Sequence, residues 1–291
     1  MANFDILLNT PAYLYTCTII LGLLIGSFLN VVIFRLPKML EQDWKQQCAV
    51  LLEQDQLEKE FAKEEKVTLS KPNSTCPKCQ HKIKPWENIP VLSFLFLGGK
   101  CSQCKNKISI RYPLVEVATS ILSLVVIMTF GATYAGLAAL FFTWTLVALT
   151  MIDADTQLLP DNMTLPLLWA GLILNSFNLF TTLEASLWGA VFGYLSLWFV
   201  YQLFKQITGK EGMGYGDFKL LGALGAWLGW QQLPIIILLS SVVGAVIGIS
   251  LILIKGRDKS IPIPFGPYLA IAGWISLIWG EDLFRFWMRT V

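Results

Sequence analysis

Apolar residues along this chain fall into long continuous blocks separated by short polar breaks, not into the scattered stripes of a soluble domain. The blocks cover roughly 12–34, 113–131, 134–152, 163–181, 184–204, 217–232, 234–254 and 264–282, each near the ~20 residues that a bilayer core requires. The pattern predicts an all-α polytopic membrane protein with about eight transmembrane helices. The sixth block is short and rich in glycine, so it is the weakest of the expected spans. One polar segment of substantial length, 37–112, interrupts the series. The expected division is a first transmembrane helix over 1–36, a loop domain over 37–112 and a transmembrane core over 113–291.

The loop domain has two parts. From Pro37 to Lys66, the residues Leu40, Trp44, Val50, Leu51, Leu57 and Phe61 recur among many charges, as on an amphipathic helix. Further on, Cys76-Pro77-Lys78-Cys79-Gln80-His81-Lys82-Ile83 is echoed by Cys101-Ser102-Gln103-Cys104-Lys105-Asn106-Lys107-Ile108. A Cys-x-x-Cys turn aims two thiolates at one point, and two such turns complete a tetrahedral four-cysteine site. Cys76, Cys79, Cys101 and Cys104 are therefore the expected ligands of a structural zinc, making the loop a small zinc-knuckle domain. A closed four-thiolate site has no open position, so it shapes the loop and does not catalyse. Disulfides are the alternative, which a cytoplasmic location disfavours. His81, the single histidine, reads as a surface residue beside the knuckle, and Cys17 and Cys48 as ordinary small apolar residues. Between the knuckles, 85–100 is too short to span as a helix and too apolar for a solvated loop, so it is expected at the membrane surface. Glu116, just inside the second span, is either functional or a partner for Arg111 or another cation.

Composition agrees with the pattern: 55% of the 291 residues are hydrophobic and 14% charged. A net charge of +2 makes no case for nucleic-acid binding. The first block follows Ala2-Asn3-Phe4-Asp5, without the basic n-region of a signal peptide, and is expected to be retained as a span. Basic residues follow the first, fifth and seventh blocks, including Arg35, Lys38, Lys205, Lys210, Lys255 and Arg257, while the turns 131–133 and 229–232 carry none. By the positive-inside rule the loop domain faces the cytoplasm and the N-terminus lies outside. Arg285 and Arg289 run against this assignment.

Two carboxylates interrupt the apolar pattern where a charge is expensive. Asp153 ends the third block in Met151-Ile152-Asp153-Ala154-Asp155, and Asp217 opens the sixth in Gly214-Tyr215-Gly216-Asp217-Phe218. In the expected topology both reach the cytoplasmic face. Asp217 also has a plain structural reading as a helix N-cap. Asp153 and Asp155 point about 200° apart on a helix of ~3.6 residues per turn, so only one can face a partner. Asp153 continues the apolar run and is the expected buried one. Asp161, after Pro160, is explained as an N-cap. A lone histidine inside a knuckle leaves no base for a serine or cysteine nucleophile of the usual kind, and no P-loop is present. Two close carboxylates sharing a proton suit aspartyl peptide hydrolysis first, with a proton-coupled transporter as the alternative.

Gly214-Tyr215-Gly216-Asp217 resembles the Gly-x-Gly-Asp motif of intramembrane aspartyl proteases. Asp153 seven residues before Pro160, the stretch Gly26-Ser27-Phe28-Leu29-Asn30-Val31-Val32-Ile33-Phe34-Arg35-Leu36-Pro37, the paired knuckles, and Arg111-Tyr112-Pro113-Leu114-Val115-Glu116 together resemble the bacterial type IV prepilin peptidases. The resemblance implies a bifunctional enzyme of the bacterial inner membrane. Such an enzyme removes the basic leader from type IV prepilins and type II secretion pseudopilins on the cytoplasmic side. It then N-methylates the new N-terminal residue with S-adenosylmethionine. It also implies that Asp153 and Asp217 are the catalytic pair. The chain carries no recognisable S-adenosylmethionine motif, so the resemblance assigns no residues to that site, nor does it indicate an oligomeric state. The closer rival within the family is a peptidase without methyltransferase activity, whose short members lack the cysteine loop present here.

Overall fold

The computed structural model describes residues 10–52, 66–255 and 264–290. Among these, regular structure is helical, with two isolated β-bridges. In chain order the helices are α1 (Pro11–Leu51), the short α2 (Leu92–Phe96), α3 (Arg111–Phe130), α4 (Tyr134–Thr156), α5 (Asp161–Asn175), α6 (Leu183–Thr208), α7 (Tyr215–Leu228), α8 (Leu233–Lys255) and α9 (Gly266–Thr290). Among the described residues, five stretches are long and apolar enough to cross a membrane: α1, α3, α4, α6 and Trp230–Ser250, which includes most of α8. The remaining expected spans are also helical. α9 has 25 residues, but α5 and α7 have 15 and 14. At 1.5 Å per residue these two reach only about 22 and 21 Å, short of a ~30 Å hydrocarbon core. The chain divides into two compact units, Met1–Val125 and Val126–Val291, with the division falling inside α3.

In the first unit, α1 is one unbroken helix of 41 residues with Pro37 inside it. The amphipathic segment expected after residue 37 is thus a continuation of the first helix as far as Leu51, and its remainder, 53–65, lies outside the described residues. α1 and α3 run antiparallel with their backbones close. A Cβ on Gly22 would lie 2.5 Å from the Ser120 Cα, and one on Gly26 would lie 2.6 Å from the Glu116 Cα. The seam is tied by Ser120 Oγ donating to the Ile19 carbonyl (2.9 Å) and Asn30 Nδ2 to that of Tyr112 (3.1 Å). Small residues and side-chain hydrogen bonds are what hold helices together where lipid removes the hydrophobic incentive. Arg35 is buried, and its guanidinium donates to the carbonyls of Thr68, Leu69 and Pro72, fastening the loop domain to α1. Cys17 and Cys48 lie on exposed parts of α1 instead of in its packed seam.

The second unit is built around α7, whose residues from Phe218 to Trp227 are almost all buried. It packs chiefly against α6 and α5, and also against α9. Gly189 and Gly193 of α6 meet Gly225, Gly222 and Leu221 of α7 with backbone touching backbone. The end of so short a helix needs partners for its free carbonyls. Asn175, fully buried, supplies its amide to Ala226 O (2.9 Å) and Trp227 O (3.0 Å), and the Ser186 hydroxyl adds a further bond to Ala226 O. Trp227 Nε1 in turn donates to Leu167 O (2.7 Å). These bonds set the position of α7, and so of the aspartate near its start.

Candidate active site and metal centre

Asp153 lies in the last turn of α4, which closes at Gln157 in the left-handed conformation. Asp217 sits at the third position of α7. The N-cap of that helix is Gly214, so Asp217 is not the cap; from the third helical position one of its carboxylate oxygens reaches back to the Gly214 amide. Both carboxylates are buried, at 5% and 8% exposure. Asp155, two residues on, is exposed. The helical period separates the two as expected from their spacing.

Asp153 Oδ2 accepts a hydrogen bond from the Gly266 amide at 3.0 Å. Gly266 opens α9, where a backbone N–H has no partner within the helix. Asp217 Oδ1 is buried with no hydrogen-bond partner among the described residues. Leu159 connects the two positions. A Cβ on Gly216 would lie 2.7 Å from Leu159 Cβ, and one on Gly266 would lie 3.1 Å from Leu159 Cδ1 and 2.7 Å from Asp153 Oδ2. Glycine at 266 is thus required for space beside the Asp153 carboxylate. Because the clash would be with the end of a rotatable side chain, Gly266→Ala should fold normally yet turn the carboxylate away. A displacement of that size costs on the order of 100-fold in rate. Peptide cleavage by the purified variant, measured beside its thermal unfolding, checks this: activity falls and stability holds.

The expectation for Asp161 is corrected. Pro160 occupies the N-cap of α5, and Asp161 is the first helical residue. Both of its carboxylate oxygens accept from Lys219 Nζ at 2.7 Å, which links the start of α5 to α7 two residues after Asp217. Ahead of Asp217, the glycine-rich loop is tied back to α6 by Lys205, which bonds Glu211 (2.8 Å) and the Tyr201 hydroxyl (3.3 Å).

In the first unit the two knuckles have the same construction. Cys76 N–H donates to His81 O and Gln80 N–H to Cys76 O. In the second knuckle, Cys101 N–H donates to Asn106 O and Lys105 N–H to Cys101 O. Gln80 and Lys105 share φ near +58°, and Thr75–Lys82 and Lys100–Lys107 form matching bridges. The four sulfurs lie within 4.8 Å of one another, with Cys76–Cys104 at 3.7 Å and Cys79–Cys101 at 3.9 Å. A tetrahedral zinc with ~2.3 Å bonds to sulfur needs sulfurs about 3.8 Å apart, so the donor set fits the ion. The amides of Cys79 and Lys78 draw the Cys76 thiol down, towards the thiolate that a metal requires, while the Cys79 thiol, despite the His81 amide, is pushed up by burial and its neighbouring thiols. His81 is not a free surface residue. Its ring meets Glu87 at 3.1 Å, and the Glu87 carboxyl is pulled down to about 2, first by the Lys84 amide, then by Ser102 and His81. Cys76→Ser should lower bound zinc from about one ion per chain to near none, read by metal analysis of freshly purified, reduced protein.

Glu116 is buried and accepts from the Val91 amide (2.8 Å) and from Ser27. Its observed partners belong to the loop domain and to α1, so it joins structural elements and does not simply balance a cation. The sequence reading missed Gly266, Leu159 and Lys219. The first had a signal: in Pro264-Phe265-Gly266-Pro267 a proline near a helix start marks where free amides point outward.

Comparison with known proteins agrees with this arrangement. Residues 20–130 match the family model of the bacterial peptidase A24 N-terminal domain, and residues 140–249 match that of the type IV leader peptidase family. A protein of Pseudomonas aeruginosa described as prepilin leader peptidase/N-methyltransferase is 57% identical over 99% of this chain and 98% of its own length. Proteins with the same description from Stutzerimonas stutzeri and Legionella pneumophila are 56% and 44% identical, each over 97% of this chain and over 96% and 97% of their own lengths. No solved structure matches the chain. With relatives this similar along essentially its whole length, the chain belongs to the type IV leader peptidase family.

Proposed function

We infer that this protein is a bifunctional prepilin leader peptidase and N-methyltransferase of the bacterial inner membrane. It removes the basic leader from prepilins and pseudopilins and then methylates the new N-terminal amine. The observation that carries the reading is the pair Asp153 and Asp217, both buried and bridged by Leu159, in a chain whose close relatives bear that description. A proton-coupled transporter would use a similar pair, but near-complete alignment with leader peptidases favours hydrolysis.

In this account the dyad holds one proton between two carboxylates, because two adjacent charges in a dry site repel. The ionised member takes a proton from water as that water attacks the scissile carbonyl, while the protonated member gives its proton to the carbonyl oxygen. Collapse of the tetrahedral intermediate returns a proton to the departing amine. The Gly266 amide holds the Asp153 carboxylate in one orientation through these steps. Asp217 Oδ1, with no partner among the described residues, is the atom left to meet water or substrate.

The eight-span arrangement is proposed for the chain, the short helices α5 and α7 being extended across the membrane by the apolar residues that follow them, with the loop domain and both aspartates at the cytoplasmic side, on the distribution of basic residues. A basic leader would then remain in the cytoplasm, and the scissile bond would fall at the interface. In the loop domain, Cys76, Cys79, Cys101 and Cys104 would hold zinc as a closed structural site. S-adenosylmethionine supplies an electrophilic methyl group to the freed amine. Among the described residues no strand-to-helix glycine turn forms to hold its adenosine, and no residue is assigned to that step.

Incubation of a prepilin with the purified protein, with and without S-adenosylmethionine, tests the reading by intact-mass spectrometry. Leader loss in both samples, and one added methyl group only with the cofactor, is the expected result. Cleavage without methylation would reduce the protein to a peptidase alone. An intact prepilin in both samples would refute the reading.

A further inference from the structure

The segment between the two knuckles has a feature that zinc binding does not require. Trp86, Ile89, Leu92, Leu95 and Phe96 are 64%, 46%, 51%, 66% and 88% exposed within a short stretch of a module whose other side chains are mostly polar. Zinc sites of this kind need their hairpins, not a row of apolar side chains turned outward.

The backbone beneath this row is sealed internally. Ser93, buried, donates its hydroxyl to Trp86 O (2.7 Å) and accepts from the Ile89 amide (3.0 Å). The amides of Ser93, Leu95, Leu97, Gly98 and Gly99 find carbonyls within the same segment. Gly98 and Gly99, both with positive φ, end α2 and turn the chain back to Cys101. Backbone with its polar groups satisfied internally is what a nonpolar medium tolerates.

The level of the segment is set by one bond. Val91, at the start of α2, donates its amide to Glu116 Oε2 at 2.8 Å. Glu116 is five residues into α3, a candidate span that begins at Arg111. At 1.5 Å per residue this places the attachment about 7 Å below the start of the span. With the bilayer edge taken at the start of α3, this falls within the roughly 5–10 Å to which interfacial helices bury their apolar faces.

Charge completes the pattern. Between Cys76 and Ile108 the chain carries Lys78, Lys82, Lys84, Lys100, Lys105 and Lys107, all exposed, against a single acid, Glu87, which is bonded to His81 and the Lys84 amide. Lys84 lies over the Trp86 ring at 5.3 Å, joining the charged and apolar parts of the surface. An apolar row edged with lysines matches an anionic bilayer surface. It does not match a basic leader peptide, which the lysines would repel.

We propose that Pro85–Gly99 is a membrane-surface anchor: Leu92, Leu95 and Phe96 enter the acyl region of an anionic leaflet, the lysines bind its headgroups, and Glu116 fixes the depth. Glu116 is then a tether whose acceptor oxygen matters and whose charge does not. This proposal depends on the chain being a membrane protein and is independent of the peptidase assignment.

The test uses the full chain with Phe96 replaced by photoreactive p-benzoylphenylalanine, reconstituted in nanodiscs of phosphatidylethanolamine and phosphatidylglycerol. After irradiation, mass spectrometry should find lipid adducts at position 96 and none with the same group at Lys78. Introducing Glu116→Leu should lower the lipid adduct severalfold with zinc content unchanged, and Glu116→Gln, which keeps an acceptor for Val91, should restore it. Replacing phosphatidylglycerol by phosphatidylcholine should weaken labelling. Absence of lipid adducts at position 96 would overturn the proposal. So would their replacement by adducts to an added prepilin, since the surface would then dock substrate. An equal yield in Glu116→Leu would remove the tether from it.

Discussion

Asp153→Asn and Asp217→Asn should each reduce prepilin cleavage by about a thousandfold or more, while Asp155→Asn and Asp161→Asn keep most of it. Asparagine keeps the size and most of the hydrogen bonding of aspartate but cannot take and return a proton. Acid–base contributions of this kind are worth about 10²–10⁴ in rate, and here both halves of the exchange pass through the same pair. Asp153 accepts the Gly266 amide, and a carboxamide oxygen in its place can do the same, so the variants should stay folded. Asp155 is exposed. Asp161 loses an ion pair with Lys219 in which the carboxylate is 56% exposed, an interaction worth only about 0–1 kcal/mol. Time courses of leader release by the four variants check the set. Full activity in Asp153→Asn, with loss in Asp155→Asn, would mean that the wrong face of α4 had been chosen.

The second large effect is expected far from the chemistry. A methyl group on Gly225 would lie 2.1 Å from the Gly189 carbonyl oxygen and 2.5 Å from its carbon, and one on Gly189 meets Gly225 O at 2.1 Å. Ordinary contacts need well over an ångström more, and both partners are backbone, so no side chain can swing aside. Gly225→Ala must therefore part α6 from α7. Overpacking in a core typically costs about 1–3 kcal/mol, and contacts between rigid backbones belong at or above the upper end. Asp217 lies earlier on the same helix, so cleavage should fall along with stability. Thermal unfolding in detergent and the cleavage rate should both drop. Gly214→Ala is the contrast: its added methyl would lie 3.8 Å from Asp217 Oδ2, an ordinary contact, and folding should be little changed.

Much of this was legible from hydrophobic pattern. The length of the apolar blocks marked the helices, and the helical period alone separated Asp153 from Asp155. The repeat of Cys-x-x-Cys-x-x-Lys-Ile foretold two hairpins of one construction. Other features depend on contacts that local patterning does not encode. Pro37 reads as a break, yet α1 passes through it and continues to Leu51. Block six reads as a weak span, yet α7 is a 14-residue helix whose end is held by Asn175 and Ser186, residues 40 to 52 positions away in sequence. Gly266 serves the site through a backbone amide, which no side-chain motif reveals. Asp161 looked like a cap because it follows a proline at a helix start, whereas its partner Lys219 lies 58 residues further on.

One chain is held to carry an aspartate-dependent cleavage and a separate methyl transfer that follows it. The most direct test gives Asp217→Asn both a full-length prepilin and a pilin already freed of its leader, with S-adenosylmethionine, and reads the intact masses. The predicted result is a prepilin that is neither cut nor methylated and a pre-cleaved pilin carrying one methyl group. Cleavage of the prepilin, methylation of it before cleavage, or a pre-cleaved pilin left unmethylated by a folded, zinc-loaded variant would contradict it.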